Sequence, residues 1–254
     1  MKITILGSGT SQGVPVIACK CKVCLSNDSK DKRLRSSILI EINNKTLVID
    51  TGPDFRQQML SNHVNKLDAV LFTHEHKDHV AGLDDIRAFN FLQKKPMEIF
   101  CSHQVKETLH REFDYVFAKK KYPGVPSVNL NLINHNPFTL FNDIEIIPIE
   151  VLHYKLPVFG FRINDFTYIT DAKTITEKER NKIMGTKILI INCLQIEQHI
   201  SHFNLEEALD FIKIISPEKA YLTHISHLFG THNEIEKMLP ENVIVAYDSL
   251  QITC

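Results

Sequence analysis

The chain has 254 residues, of which 43% are hydrophobic and 23% charged, with 29 basic and 30 acidic side chains. These proportions are those of a globular protein and exclude a disordered, fibrous or membrane-spanning chain. A formal net charge of -1 argues against a protein that mainly binds nucleic-acid phosphates. The N-terminal segment is typical of a first strand rather than a secretion signal, so we expect a cytoplasmic protein.

Short β-branched runs predict strands and amphipathic stretches predict helices along the chain. The expected strands lie at 2–6, 37–42, 46–49, 69–73, 98–101, 144–149, 158–163, 167–170, 187–191, 219–223 and 243–246. The expected helices lie at 53–62, 82–93, 103–113, 176–184, 204–215 and 232–239. Segment 114–142 is the least regular part. Its triplet Lys119-Lys120-Lys121 is interpreted as a solvated loop, and the alternative is a positively charged lip over an anionic substrate. Many strands with fewer helices predict two packed sheets covered by helices, in a single domain over 1–254.

Three cysteines, Cys19, Cys21 and Cys24, lie within six residues of one another in the loop after the first strand. In a reducing compartment such a cluster is more often a metal site than a disulfide framework. Three thiolates are one ligand short of a closed tetrahedral zinc site, and His227 is a candidate for the fourth. We expect a structural zinc knuckle at about 19–24; the simpler interpretation is three buried, reduced thiols.

The run Thr73-His74-Glu75-His76-Lys77-Asp78-His79 follows an apolar strand and holds four potential metal ligands. In an extended or looped segment alternate residues share a side, so His74 and His76 can close on one ion. Asp78 and His79 lie past a turn and can reach a neighbouring ion. Imidazole and carboxylate ligands suit zinc, manganese or iron rather than calcium. One histidine at a strand end is usually an ordinary polar residue, but this density predicts a metal centre.

Four more potential ligands stand at the ends of other apolar strands, namely Asp50, His153, Asp171 and His224. A single such residue is usually a cap or a turn former. Four of them, each just beyond an apolar strand, favour convergence on one place in the fold.

With Asp50, the HxHxDH run, His153, Asp171 and His224 in this order, the chain resembles the metallo-β-lactamase-fold hydrolases over nearly its whole length. The resemblance implies an α/β (α+β) four-layer αβ/βα sandwich of two mixed sheets flanked by helices. It also implies a dinuclear site of zinc or manganese ions at the edge of the sheets.

The same resemblance implies a division of the ligands between the two ions. One ion is held by His74, His76 and His153, the other by Asp78, His79 and His224, and Asp171 bridges them. Asp50 is implied to orient ligands rather than to bind metal.

A closer similarity is to the cyclic phosphodiesterases of phosphonate breakdown, which share the CxCxxC segment, the LTHISH run and a histidine before a helix, here His202. This implies a hydrolase that cleaves a small, cyclic phosphate ester with a hydroxide held between the ions. Asp78 would orient that hydroxide, and His202 would hydrogen-bond the phosphoryl oxygen or protonate the leaving group. Without the similarity, His202 would be interpreted as a polar residue flanking a helix. The expected partners are a small phosphate ester and, as an open possibility, a second copy of the chain.

Two alternatives remain open. An endonuclease like ribonuclease Z, which processes tRNA 3′ ends, has the same ligand order, but such an enzyme is expected to carry a long basic arm. Segment 114–142 is short and only locally basic, so we rank this alternative lower. Cofactor-biosynthesis proteins such as the pyrroloquinoline-quinone pathway protein share the cysteine segment and include carriers. The donor types do not distinguish zinc from manganese.

Overall fold

Residues 1–254 are described by a computed structural model with 14 strands and eight α-helices. The strands β1 to β14 are, in order, Lys2–Gly7, Ser37–Ile42, Lys45–Ile49, Ala69–Leu71, Met97–Cys101, Val128–Leu132, Phe138–Leu140, Ile144–His153, Leu156–Ile163, Phe166–Ile169, Ile188–Asn192, Lys219–Thr223, Val243–Val245 and Gln251–Thr253. The helices α1 to α8 are Phe55–Ser61, Lys77–Val80, Arg87–Gln93, His103–Glu112, Asp114–Phe117, Glu177–Ile183, Leu205–Ile215 and His232–Glu236. Short 3-10 turns cover Ser29–Asp31 and Leu83–Ile86.

The strands form two mixed seven-stranded sheets. The first has the order β14-β1-β2-β3-β4-β5-β6 and the second the order β13-β12-β11-β10-β9-β8-β7. In the first sheet β3 to β6 run parallel, and in the second β10 to β13 do so, whereas the remaining pairs are antiparallel. Parallel neighbours bring their carboxyl ends to one edge of a sheet, which is where side chains from distant parts of the chain can meet.

Successive side chains of the strands point to opposite faces of each sheet, and the buried apolar residues therefore form three separate cores. In β2, Ile38 and Ile40 face the core between the two sheets, while Leu39 faces the core shared with α1, α3 and α4. In β11, Ile190 faces the central core and Leu189 packs toward α6 and α7. Successive side chains of a strand point to opposite faces, so a sheet with apolar residues on both faces is covered on both sides. The result is the four-layer αβ/βα sandwich that the resemblance implied.

Most predicted elements are confirmed, with three classes of difference. The helix expected at 82–93 begins as the 3-10 turn Leu83–Ile86 before α3. In segment 114–142 the lysine triplet is exposed coil, as interpreted, whereas α5, β6 and β7 were not predicted. The strand β14 and the helix α2 were not predicted.

No helix has both the length and the apolar surface that a membrane crossing requires; the longest, α7, has 11 residues.

Candidate metal centre

Five strand ends place the candidate ligands at one edge of the sandwich. Asp50 follows β3, the HxHxDH run follows β4, His153 closes β8, Asp171 lies just beyond β10, and His224 follows β12. Three of them, Asp50, Asp171 and His224, have left-handed backbones with φ of 66°, 56° and 59°. Aspartate and histidine are among the residues that tolerate this conformation best. The chain turns sharply at each of these residues, immediately after the strand that carries it.

The turn expected between His76 and Asp78 in the HxHxDH run is the start of a helix. The run is extended only up to His76, and helix α2 begins at Lys77, so Asp78 and His79 project from one helical turn. This helix packs on the turn after β3, where the Thr51 amide donates to the His79 carbonyl at 2.8 Å. A Cβ at Gly52 would lie 2.1 Å from the Asp78 carbonyl oxygen, so only glycine permits this close approach.

Four histidine rings are held in the same way, with Nδ1 beside a fixed acceptor and Nε2 directed elsewhere. The Nδ1 partners are Thr73 Oγ1 at 3.0 Å from His74, Asp50 Oδ2 at 2.7 Å from His79, Ser201 carbonyl oxygen at 2.9 Å from His153, and Ser36 Oγ at 3.2 Å from His224. Asp50 is itself fixed by the amide and hydroxyl of Thr73 at 2.9 and 2.8 Å. A neutral ring that donates from Nδ1 presents a lone pair at Nε2, which is the tautomer that binds a metal ion.

Asp171 is the carboxylate on which these rings converge. Its Oδ2 lies 3.2 Å from His79 Nε2, and its Oδ1 lies 3.3 Å from His224 Nε2. Asp78 Oδ2 lies 3.1 Å from the same His79 Nε2. Both His79 Nε2 and His74 Nε2 are buried without a hydrogen-bond partner. Nitrogen lone pairs that face carboxylate oxygens at this range repel each other unless a cation lies between them.

The electrostatics of the centre favour the same interpretation. Burial lowers the pKa of His79, yet Asp78, Asp50 and Asp171 outweigh it and raise that pKa well above the usual range. Burial and the nearby charge of His79 lower the pKa of His74 well below its usual range. Burial raises the pKa of Asp171, but His224 and His79 hold it well below the usual value. The centre therefore combines ionised carboxylates with a ring nitrogen that attracts positive charge, which a proton or a divalent cation provides.

The candidate donor atoms form three overlapping groups, each with its atoms within 4.8 Å of one another. They are His74 with His79 and Asp171, Asp78 with His79 and His224, and His153 with Asp171 and His202. Asp171 and His79 each belong to two of the groups. His76 is exposed and joins none of the three groups, although its ring centroid lies 4.6 Å from that of His74 and 5.2 Å from that of His153.

His202 lies in closer contact with the metal centre than a polar residue that only flanks a helix would. Its Nδ1 is buried without a hydrogen-bond partner, 3.7 Å from Asp171 Oδ1, and its ring stacks on that of His224 at 4.8 Å. Burial lowers the pKa of His202 to about 3. The donor set of imidazoles and carboxylates, with unpartnered Nε2 atoms, fits divalent zinc or manganese.

Sequence analysis missed the hydroxyl groups that hold these rings. Thr10 Oγ1 lies 3.1 Å from His224 Nε2, and Ser36 Oγ donates to the Gly9 carbonyl while it contacts the other nitrogen of that ring. Thr73 stands directly before the HxHxDH run, so its position offered a signal. Ser36 offered none, because its contact with His224 depends on how the N-terminal loop packs against β12.

The N-terminal cysteines converge on His227, as the sequence suggested they could. The Sγ atoms of Cys19, Cys21 and Cys24 lie 3.2, 3.5 and 3.6 Å from His227 Nδ1, and none of the three forms a disulfide. The Cys24 amide donates to Cys21 Sγ and lowers the pKa of Cys21 to about 6, which favours the thiolate. Three sulfurs and one ring nitrogen form the donor set of a tetrahedral structural zinc site, and we propose that they hold one.

Cys21→Ser is therefore expected to remove one zinc ion per chain and to lower the melting temperature by several degrees. The reason is that a structural zinc contributes its binding free energy to folding. Elemental analysis and thermal denaturation measure both effects. Cys254→Ser, which changes an exposed thiol outside the cluster, serves as the control and should change neither. An unchanged zinc content in Cys21→Ser would contradict the zinc assignment.

This fold and this cluster of imidazoles and carboxylates at the sheet edge define the metallo-β-lactamase class. Residues 45–225 match the family model described as the beta-lactamase superfamily domain, and the chain belongs to that superfamily. Within it, the chain is similar to a crystallised diphosphatase of the PhnP family, with 33% identity, a TM-score of 0.93, and coverage of 100% of this chain and 97% of the other. The family recognised from the motifs is thereby confirmed, and the chain is a metallo-β-lactamase-fold protein close to the PhnP family.

Curated relatives carry other names. An octanoyltransferase of Porphyromonas gingivalis is 38% identical in an alignment of 254 residues that covers 99% of this chain but 51% of the relative. The chain thus spans about half the length of that protein. The coenzyme PQQ synthesis protein B of Methylorubrum extorquens is 35% identical in an alignment of 227 residues that covers 78% of this chain and 74% of the relative.

Proposed function

We propose that this chain is a metal-dependent phosphodiesterase that hydrolyses a small phosphate ester. The observation that carries the proposal is the arrangement at Asp171, where His79 Nε2 is buried, unpartnered and 3.2 Å from the carboxylate. The full-length similarity to a diphosphatase supports phosphorus, rather than carbon, as the centre that is attacked.

Seven side chains would hold two divalent ions at this site, namely His74, His76, Asp78, His79, His153, Asp171 and His224. When bound, such ions supply Lewis acidity that lowers the pKa of a bound water and offsets the charge of a phosphoryl group. Two divalent ions of zinc or manganese, together with one structural zinc, are the cofactors that we propose.

The protein's own groups would do the remaining work. Hydrolysis adds water across one P–O bond, so a proton must leave the attacking water and another must reach the leaving oxygen. Carboxylate oxygens of Asp78 and Asp171 face the centre and would accept a hydrogen bond from the water. Asp50 fixes the His79 ring, since it accepts from Nδ1 at 2.7 Å. His202, whose buried ring lies beside Asp171 and His224, would donate to the phosphoryl oxygen or to the leaving oxygen.

The reaction class is tested with a panel of four substrates at one enzyme concentration: bis-p-nitrophenyl phosphate, a ribose cyclic phosphate, a precursor tRNA and octanoyl-coenzyme A. We expect hydrolysis of one or both small phosphate esters, loss of activity on chelation, and recovery with zinc or manganese. Elemental analysis of the same preparation should give about three ions per chain for two sites of this kind plus a structural zinc.

The other arms of the panel decide between the alternatives. Cleavage of precursor tRNA at low enzyme would favour the ribonuclease Z-like alternative. Thioester hydrolysis without phosphate ester hydrolysis would connect this chain to the acyl chemistry named for its longer relative. The similarity to the PQQ synthesis protein makes a non-phosphate substrate the second candidate, and inactivity on all four compounds with metals bound would favour it.

A further inference from the structure

Asp248 lies in the segment that crosses from β13, in the second sheet, to β14, in the first. Its carboxylate accepts three hydrogen bonds from the N-terminal loop, residues 8–36 between β1 and β2. Oδ1 accepts from the amide and the hydroxyl of Ser8 at 2.9 and 2.8 Å, and Oδ2 accepts from the amide of Leu34 at 2.7 Å. One side chain therefore ties together the two ends of this loop.

A buried cation supports the same junction. Arg33 is 3% exposed, and its Nη1 donates to Ser8 Oγ at 2.9 Å and to the Ala246 carbonyl. The Ser8 hydroxyl thus receives a hydrogen bond from Arg33 while it donates to Asp248. Desolvation raises the pKa of Asp248 to about 6, although the bonds from Leu34 and Ser8 lower it, so the group is a carboxylate at pH 8. Removal of a charged acceptor that satisfies buried donors is costly.

Each of the two tied positions lies two residues before a hydroxyl group that contacts the His224 ring. Thr10, which follows Ser8, has its Oγ1 at 3.1 Å from His224 Nε2. Ser36, which follows Leu34, has its Oγ at 3.2 Å from His224 Nδ1. Both hydroxyl-bearing residues are buried. The ring is therefore contacted at both nitrogens by the two segments that the carboxylate joins.

The hydrogen bonds of Ser36 give its contact with the ring a direction. Its hydroxyl donates to the Gly9 carbonyl at 2.9 Å, so its oxygen is left to accept from His224 Nδ1. Thr170 Oγ1 is a second hydroxyl near Nδ1, but it is more distant, at 3.4 Å, and it donates to Asp171. A ring that donates from Nδ1 presents its lone pair at Nε2, which is the tautomer that binds a metal ion.

The Gly9 carbonyl and the Ser36 hydroxyl can meet only while the two ends of the loop keep their register. The Gly9 amide contributes to that register, since it donates to the Leu34 carbonyl at 2.8 Å. The Asp248 carboxylate contributes as well, because it accepts from the Leu34 amide. Loss of this carboxylate would therefore loosen the acceptor that orients the His224 ring.

We propose that Asp248 is a positioning residue for the candidate metal centre, and that it acts through Ser36 to hold the His224 ring with Nε2 directed to a metal ion. The inference rests on the metal centre of the proposed function and not on the identity of the substrate. Asp248 forms its hydrogen bonds with the N-terminal loop and none with the seven candidate ligands. Its contribution is the orientation of one ligand.

Cobalt(II) bound to the full chain tests this proposal without turnover. The protein is produced in cobalt-supplemented minimal medium, and its visible spectrum and its cobalt loss to a competing chelator are measured at pH 8. Asp248→Asn places an NH2 group opposite one of the three donors. We expect one ion of the centre to be bound about tenfold more weakly, with altered d–d bands, as for residues that orient metal ligands. The thiolate-to-cobalt charge-transfer band of the cysteine cluster should not change.

Asp68→Asn is the matched control. Asp68 is 3% exposed and accepts from the Thr46 amide at 3.0 Å, but it precedes β4, at the end of that strand opposite to the HxHxDH run. This variant should lower the melting temperature and leave cobalt affinity and spectrum as in the wild type. Equal losses of cobalt affinity in both variants, or wild-type binding in Asp248→Asn, would overturn the positioning role.

A double-mutant cycle tests the route through Ser36. Ser36→Ala should weaken the same ion about tenfold. The double variant Asp248→Asn/Ser36→Ala should bind it no more weakly than Ser36→Ala alone, because both changes act on one acceptor. Independent losses, about a hundredfold in the double variant, would overturn this route.

Two further outcomes are assigned in advance. If Asp248→Asn does not fold, Ser8→Ala takes its place, since it removes one of the three bonds to the carboxylate. It should give a smaller loss of the same kind, and wild-type affinity would overturn the proposal. A wild type that binds cobalt at the cysteine cluster but not at the centre would contradict the metal centre itself rather than the role of Asp248, and this inference would fall with it.

Discussion

Asp171→Asn is expected to lower kcat/KM for bis-p-nitrophenyl phosphate about a thousandfold, equivalent to about 4 kcal/mol of transition-state stabilisation. The carboxylate lies within 3.3 Å of the Nε2 atoms of both His79 and His224, so one side chain serves both halves of the centre. An amide of the same size removes the charge that makes the centre attractive to cations. Steady-state kinetics and elemental analysis should show the loss of turnover together with a lower metal content.

Asp165→Asn provides the matched control for this experiment. Asp165 lies in the turn between β9 and β10, where it pairs with Lys187 at 2.8 Å on the surface. The same chemical change at that position should leave kinetics and metal content as in the wild type. Full turnover with full metal content in Asp171→Asn would remove this residue from the mechanism.

His202→Ala should retain the metal ions and lose roughly 100-fold to 10,000-fold in kcat, the range for a group that transfers or shares a proton in the transition state. The ring is largely buried, and its Nδ1 lies 3.7 Å from Asp171 Oδ1, beyond hydrogen-bond distance, so this nitrogen has no partner within the protein. The measurement is kcat for phenyl and p-nitrophenyl esters of the same phosphate, with metal content determined in parallel. A greater loss for the poorer phenyl leaving group would indicate protonation of the leaving oxygen; equal losses would indicate a hydrogen bond to the phosphoryl group.

The control is His110→Ala, which removes an exposed ring of α4 that stacks on Phe117, away from the centre. It should leave kcat unchanged. Loss of metal from His202→Ala would instead identify His202 as a ligand, which its grouping with His153 and Asp171 within 4.8 Å makes the main competing interpretation.

The elements that sequence analysis located best are those whose local pattern agrees with their environment. Strands β2 and β12 were predicted at both ends, because their β-branched and aromatic residues form buried ladders with neighbours on both sides. Strand β6 was missed because its sequence, VNLNL, contains two asparagines, which disfavour strands. In the fold both asparagines donate to Glu98 of the adjacent strand, at 2.6 and 2.9 Å.

The candidate site likewise divides into features that the sequence predicts and features that depend on the fold. Each candidate ligand could be recognised singly, because polar residues just beyond buried strands are conspicuous in a sequence. The distances between them, and the division of the rings into groups, depend on how two sheets pack and were not predictable. The same holds for Ser36 and Thr10, whose hydroxyl groups meet the His224 ring only after the N-terminal loop pairs with Ile225.

The left-handed backbone at Asp50, Asp171 and His224 restricts which substitutions can abolish the activity without straining the chain. A β-branched replacement at any of these positions would strain the chain in addition to removing a ligand, whereas asparagine or glycine would not. A descendant that drifts into a non-hydrolytic pseudoenzyme is therefore expected to carry asparagine or glycine at these three places. For the same reason, asparagine variants are the natural choice for a folded substrate trap.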